Sequence, residues 1–174
     1  MTHESAAPGA RGELPRVLDL IRHIRVALLT TFDRDGAFHT RPVQTLRVED
    51  DGTLWFFTDV RSGKADELRA DMRISLGYAD TAANCYVAVS GVGTVRRDSH
   101  KAQELWQVEQ RAFYPEGPGD ERLGLLRVEI DRAEYWIAPG RASYLYAALK
   151  ATATGTPAGV IGANEKVRRR GRRP

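Results

Sequence analysis

Apolar residues recur every three to four positions at Leu14, Val17, Leu18, Ile21 and Ile24, and this spacing predicts an amphipathic helix from Glu13. Pro15 falls near its start, where a missing N–H removes no intrahelical bond. The pattern then changes to a period of two. "RVALLTTFDRDGAFHTRPVQTLRVEDDGTLWFFTD" reads as three strands, because β-branched and aromatic runs are separated by the turn signals "DRDG" and "EDDG". Hairpin links of this kind make the neighbours antiparallel. A helix over residues 62–70 follows, and then strands in "RISLGYAD" and "NCYVAVSGVGTVRR", the second with Gly91 and Gly93 where a bulge or sharp bend is expected. "SHKAQELWQVEQRAF" reads as a polar helix. After the loop "YPEGPGD", Leu126, Val128 and Ile130 share one face and Ala133, Tyr135 and Ile137 share one face, so the alternation slips across Asp131 and Arg132 and predicts a bulge. Six strands, mostly joined by hairpins and interrupted by short helices, favour a small antiparallel barrel over a parallel sheet.

A length of 174 residues and a hydrophobic fraction of 42% suit one domain with one core. Residues 1–12, small and polar with Gly and Pro, read as a loose arm, residues 13–164 as the domain and residues 165–174 as a basic tail. That tail holds six Lys or Arg against one Glu, a balance of +5, which leaves −2 of the net +3 for residues 1–164. The body is therefore not basic, and a solvated tail is the expectation rather than specific nucleic-acid binding. No apolar run approaches the roughly 18 to 20 residues of a membrane span. The first residues lack the hydrophobic centre of a secretory signal, which makes the cytoplasm the expected compartment. A single cysteine, Cys85, permits no internal disulfide and no cysteine metal site, and its alternating apolar surroundings predict a buried thiol. His39 has no second ligand at metal spacing.

Candidate chemistry centres on "LWFFTDVRSGKADEL", where a strand ending in Thr58 turns into a helix through Ser62, Gly63 and Lys64. Ser62 is a favoured N-cap, Gly63 admits close backbone approach, and the first N–H groups of a helix favour an anion. Lys64 adds a cation and Thr58 a hydroxyl, so a phosphate would be well held. The same residues also suit a capped surface helix with a solvated lysine. Nucleotide hydrolysis fits poorly, since no GxxxxGK[ST] stretch occurs, and the dinucleotide-like "GVG" at residues 91–93 falls inside a strand run.

Five stretches taken in order, "HTRPVQTL", "LWFFTDVRSGKADEL", "YVAVSGVGTV", "ELWQVEQRAFYPEGPGD" and "AEYWIAPG", resemble the FMN-binding split barrels related to pyridoxamine-phosphate oxidase, within them most closely the general stress protein subgroup. The closing "SYLYAALKATATGTPAGVIGANEKV" is similar to that subgroup's tail, so the resemblance covers residues 14–167. It implies a mainly β fold with short helices, a six-stranded antiparallel split β-barrel, homodimeric, with FMN at the subunit interface. It also implies roles for particular residues. Arg41 matches the arginine before the flavin-contacting strand, whose backbone at Val43 and Thr45 runs along the ring. Phe57 and Thr58 match the pair ending the third strand. Ser62 and Lys64 match the phosphate-binding S-x-K, with Arg41 a further phosphate candidate. Tyr86 stands where the oxidases carry a flavin-contacting glutamine, and Trp136 matches a tryptophan reaching the flavin from the partner subunit. On pattern alone, Phe57 and Trp136 read as core aromatics, a reading that only the resemblance reverses, and Trp106, Phe113 and Tyr114 read as packing the polar helix against the barrel.

Departures from the oxidases narrow the reading. The lysine they carry five residues after the matched arginine is here Leu46, and no histidine follows His100 to supply their C-terminal arginine–histidine pair. Pyridoxamine-phosphate oxidation is therefore not expected. Two classes remain: an oxidoreductase passing hydride or electrons between FMN and a small molecule, and a non-catalytic flavin-storing or flavin-sensing protein. FAD or a deazaflavin in place of FMN stays open.

Overall fold

The computed structural model describes residues 10–138 and 163–168. In chain order these form α1 (Ala10–Ile24), β1 (Val26–Phe32), β2 (Phe38–Gln44), β3 (Arg47–Val48), β4 (Thr53–Asp59), α2 (Gly63–Ala70), β5 (Arg73–Asp80), β6 (Cys85–Arg96) and α3 (Ser99–Leu105). Two 3-10 turns (Val108–Ala112 and Gly117–Gly119), β7 (Leu123–Ile137) and β8 (Ala163–Arg168) complete the described chain. Both expected hairpin turns form. In the first, the Asp33 carboxylate accepts hydrogen bonds from the N–H groups of Asp35 and Ala37, each at 2.9 Å, and Gly36 takes φ +82°. In the second, Gly52 takes φ +85° and the Asp51 carboxylate accepts from the Thr53 N–H at 2.9 Å. A positive φ is what glycine adopts without a steric penalty.

The strands lie in the order β2, β1, β5, β6, β7, β4, β3, all pairs antiparallel, with β8 added to β7. The two ends of this row, β2 and β3, are separated in the chain only by Thr45 and Leu46. The Thr45 N–H donates to the Arg25 carbonyl at 2.7 Å beside one edge, and the Leu46 N–H donates to the Trp55 carbonyl at 2.8 Å on the other. Three peptide units reach at most about 11 Å, so the sheet has to curl until its edges meet. This is the mainly β antiparallel split barrel that the alternation and the resemblance predict. Its strand number is eight among the described residues rather than six. The run read as one second strand divides where the chain changes sheet edges, and β8 lies at the C-terminal end.

That last strand also crosses the boundary expected at residue 164, since residues 165–168 pair with β7 and Val167 is buried in the core. The rest of the expected tail, residues 169–174, lies outside the described residues, as do residues 1–9 of the expected arm and most of the stretch 143–167. Deleting residues 163–174 should cost about 2 kcal/mol or more, because β7 loses one side of its ladder and the core loses a buried valine. An unchanged urea midpoint for the shortened chain would show that β8 adds nothing to stability.

The barrel is filled by Leu29, Leu54, Phe56, Leu76, Tyr78, Val87, Leu126, Val128 and Ile130, and closed by Val17, Leu18 and Ile21 of α1, as that helix's periodicity predicts. The helix begins at Ala10 rather than Glu13, which places Pro15 inside it and not at its start. β4 is covered on both sides. Leu54 and Phe56 face the barrel, while Trp55 packs with Ala102 and Leu105 of α3 and with Tyr114, Leu123 and Leu125 in a second cluster. A strand buried on both faces reads as a continuous apolar run, which accounts for "TLWFFT".

The two separately predicted bulges are one. Ser90 pairs with Arg132 and Gly91 with Ile130, so Asp131 is the extra residue. The polar helix expected over residues 99–113 breaks in two, since the chain turns extended at Trp106 (φ −63°, ψ 133°) before the first 3-10 turn. Cys85 is buried as predicted, and burial raises its thiol pKa. No helix among the described residues is long and apolar enough to cross a membrane.

Candidate functional site

The strand, turn and helix from Thr58 to α2 form where predicted, but their side chains are used differently. Ser62 holds the N-cap position with extended backbone (φ −76°, ψ 152°), and its hydroxyl makes no bond to the helix. It donates instead to the Asp59 carbonyl at 2.6 Å. The helix start is served by the Ser62 carbonyl, which accepts from the N–H groups of Ala65 at 2.9 Å and Asp66 at 3.3 Å. Thr58 is buried at the strand end, with its hydroxyl 3.5 Å from the Asp59 carbonyl.

Lys64 does face a cavity. A cleft of about 350 Å³ opens beside it, walled by Val26, Pro42, Val43 and Gln44 on one side and by Leu46 and Phe57 on another. The segment around the first 3-10 turn overhangs it with Gln110, Phe113 and Tyr114. Burial lowers the pKa of the Lys64 ammonium, and the nearby Arg41 guanidinium lowers it further, against the carboxylates of Asp59 and Glu67. A mostly apolar cleft with one cation in its lining can take an apolar group carrying an anion.

Arg41 projects from β2 toward the barrel end covered by α2. Its Nη2 donates to both carboxylate oxygens of Glu67, at 2.9 and 3.2 Å, and its Nη1 donates to the Thr31 hydroxyl. The Thr31 hydroxyl in turn donates to Glu67. Burial alone would raise the Glu67 carboxyl pKa; the hydrogen bonds from Thr31 and Arg41 outweigh it and hold the group below its ordinary value. Thr31 is fully buried, and the side chains of Glu67 and Arg41 are only 12% and 26% exposed. Neither Thr31 nor Glu67 was expected at the site. Glu67 was nonetheless findable, since it lies three residues after Lys64 on one helix.

Thr45 turns inward. Its hydroxyl lies 2.9 Å from the Tyr78 hydroxyl, its N–H is taken by Arg25, and the cleft is lined by Pro42, Val43 and Gln44 rather than by Thr45. Phe113, expected to pack against the barrel, is 71% exposed at the cleft, while Tyr114 is buried against Phe57 with ring centroids 6.3 Å apart, and Trp106 meets the same ring at 5.9 Å. His39 pairs with Asp33 at 3.1 Å on the exposed hairpin.

Tyr86 and Trp136 stand apart from this cleft. They are cross-strand partners on β6 and β7, both partly exposed, whereas Phe57 pairs with Leu125 at the opposite end of β7. One copy of the chain therefore places Val43, Phe57 and Lys64 in the cleft lining, with Arg41 near Lys64, and leaves Tyr86 and Trp136 outside that lining.

The fold recurs in known proteins. A candidate general stress protein 26 from Jannaschia sp. CCS1 superposes with a TM-score of 0.71 at 22% identity, covering 90% of this chain and 98% of its own. The general stress FMN/FAD binding protein of Xanthomonas citri superposes with a TM-score of 0.62 at 26% identity, covering 72% of this chain and 88% of its own. In sequence, 124 residues are 26% identical to protein bli-3 of Neurospora crassa, covering 66% of this chain and spanning 59% of that relative's length. The family described as pyridoxamine 5'-phosphate oxidase like matches residues 13–158. With most of the barrel inside that match, the chain belongs to the pyridoxamine 5'-phosphate oxidase like family.

Proposed function

We propose that this protein binds FMN in the cleft beside Lys64 and works as a flavin-dependent oxidoreductase in the cytoplasm. The observation that carries the reading is the cleft itself, lined mostly by apolar residues including Val43 and Phe57, with the half-buried Lys64 among them and a second cation, Arg41, near enough to lower the lysine's pKa. Flavin, when bound, supplies the electron chemistry. Lys64 and Arg41 would hold the phosphate, Ser62 and Gly63 would bring the start of α2 toward it, and the strand residues Pro42, Val43 and Gln44 would lie along the ring. Phe57 would support the ring from the barrel side. Tyr114, with its hydroxyl pKa pushed up to about 12 by burial, would stay neutral and hold the overhanging segment in place. The FMN/FAD binding of the Xanthomonas citri relative supports a flavin and leaves FAD as the neighbouring possibility.

A homodimer would complete the site. The outward face of the sheet carries Val26 and Leu28, 54% and 55% exposed, beside Pro42. In register across β5 and β6 it continues through the small residues Gly77, Ala79 and Ala88 to Tyr86 and Trp136. An exposed apolar patch of this kind suits a second copy, which would bring Trp136 to its partner's cleft.

Four measurements test the reading. Absorbance and mass of the copurifying ligand identify the flavin, and sedimentation of the holoprotein counts subunits. NAD(P)H reduction followed by reoxidation should exceed the rate of free FMN; equal rates would favour a storing or sensing protein. Trp136→Ala should weaken flavin binding and its fluorescence quenching while leaving the far-UV spectrum unchanged. A monomer that still binds one tight flavin would remove Trp136 from the site.

A further inference from the structure

We infer that Thr31 and Glu67 are positioning residues for the cofactor phosphate: they clamp the Arg41 guanidinium between β1 and α2 so that its remaining N–H groups meet the phosphate beside Lys64. The inference rests on the cleft being a flavin-phosphate site. Its starting point is a closed ring of hydrogen bonds joining three elements. Arg41 donates to Thr31 and to both oxygens of Glu67, and Thr31 donates to Glu67.

An arginine side chain has several rotatable bonds, and holding Nη2 on the Glu67 carboxylate and Nη1 on the Thr31 hydroxyl at once fixes the plane of its guanidinium as well as its position. Nη2 faces the Glu67 carboxylate and one N–H of Nη1 meets Thr31, so Nε–H and the second N–H of Nη1 stay available for a second acceptor. Thr31 has no exposure and Glu67 little. A network this enclosed does not dissolve when a ligand arrives at the cleft. Lys64 lies close enough to Arg41 for the two charges to interact, and it shares α2 with Glu67. The helix that carries the lysine therefore also carries the arginine's clamp, which sets the spacing of the two cations.

Glu67 has a second, opposing effect, because its negative charge repels a phosphate while its geometry presents Arg41. The test separates the two by keeping charge constant. Glu67→Asp retains the carboxylate but retracts it by one methylene, and Thr31→Val removes only the hydroxyl. The readout is the ratio of riboflavin to FMN dissociation constants for flavin-free protein, since a loss of packing moves both ligands together. Each variant should lower the FMN preference by about five- to tenfold, less than the full value of one charge-assisted hydrogen bond because Arg41 keeps its charge, with riboflavin affinity nearly unchanged. In an Arg41→Lys background, where the planar fork is gone, Thr31→Val should have no further effect on the ratio.

Lys64→Ala serves as the control for the underlying reading. If it leaves the FMN preference intact, the phosphate does not lie there, and the positioning role falls with it. If it abolishes the preference while Glu67→Asp and Thr31→Val leave the ratio at the wild-type value, the cleft reading stands and the clamp is overturned. An undiminished Thr31→Val effect in the Arg41→Lys background would likewise overturn action through Arg41.

Discussion

Gly91→Ala should destabilise the protein by about 3 kcal/mol or more, or prevent its accumulation as a folded chain. A Cβ at residue 91 would sit 2.0 Å from the Glu129 carbonyl oxygen and 3.0 Å from its carbon. Both are backbone atoms of the facing strand, so no side-chain rotation relieves the contact, and the bulge that accommodates Asp131 would have to open. β6 and β7 form the longest pairing in the barrel, and a shift there displaces residues on both faces. Large losses from one methyl group are expected where backbone meets backbone in a packed interior. Gly119→Ala provides the comparison, since a Cβ there meets nothing within 4 Å and should change stability by less than about 0.5 kcal/mol. Chemical denaturation of the two variants checks both expectations. Equal midpoints would mean that the bulge relaxes at no cost.

Lys64→Ala should weaken FMN binding roughly ten- to hundredfold, about 1.5 to 3 kcal/mol, and leave riboflavin within about twofold of the wild type. The size follows from the surroundings of the ammonium. Burial has already removed part of its water, as the lowered pKa indicates, so a phosphate contact is screened less than a surface ion pair would be. Its neighbours decide the rest. Arg41 contributes one positive charge against the carboxylates of Asp59 and Glu67, so without Lys64 the balance near the phosphate turns negative. The lowered pKa also sets a direction with pH. FMN affinity should fade on the alkaline side sooner than an exposed lysine would allow, because the ammonium deprotonates earlier. Calorimetric titration with the two flavins checks both points, and an equal loss for riboflavin and FMN would place Lys64 away from the phosphate.

Local chemistry alone determined a good deal of this molecule. The helix at Val17, Leu18 and Ile21, the two hairpin turns at Gly36 and Gly52, and the alternating strands were legible because each depends on residues a few positions apart. The slip across Asp131 and the glycine at position 91 also gave the bulge away from either strand. Lys64 at the start of a helix after an apolar strand was legible for the same reason, since spacing and residue type suffice to place a cation there.

What the tertiary structure decided depends on residues distant in sequence. Ser62 has the residue type of a cap, yet its hydroxyl bonds to Asp59 because the turn places that carbonyl closer. Thr45 sits in a flavin-contacting stretch by resemblance, but closure of the barrel between β2 and β3 turns it toward Tyr78. Thr31, Arg41 and Glu67 come from β1, β2 and α2, and no pattern along the chain announces that their polar groups meet. β8 reads as the start of a charged tail because its pairing with β7 comes from backbone groups, which residue type does not reveal. Charge, periodicity and turn chemistry act over one or two helical turns, whereas the enclosure that makes Lys64 and Arg41 useful arises only when the sheet curls and α2 closes its end.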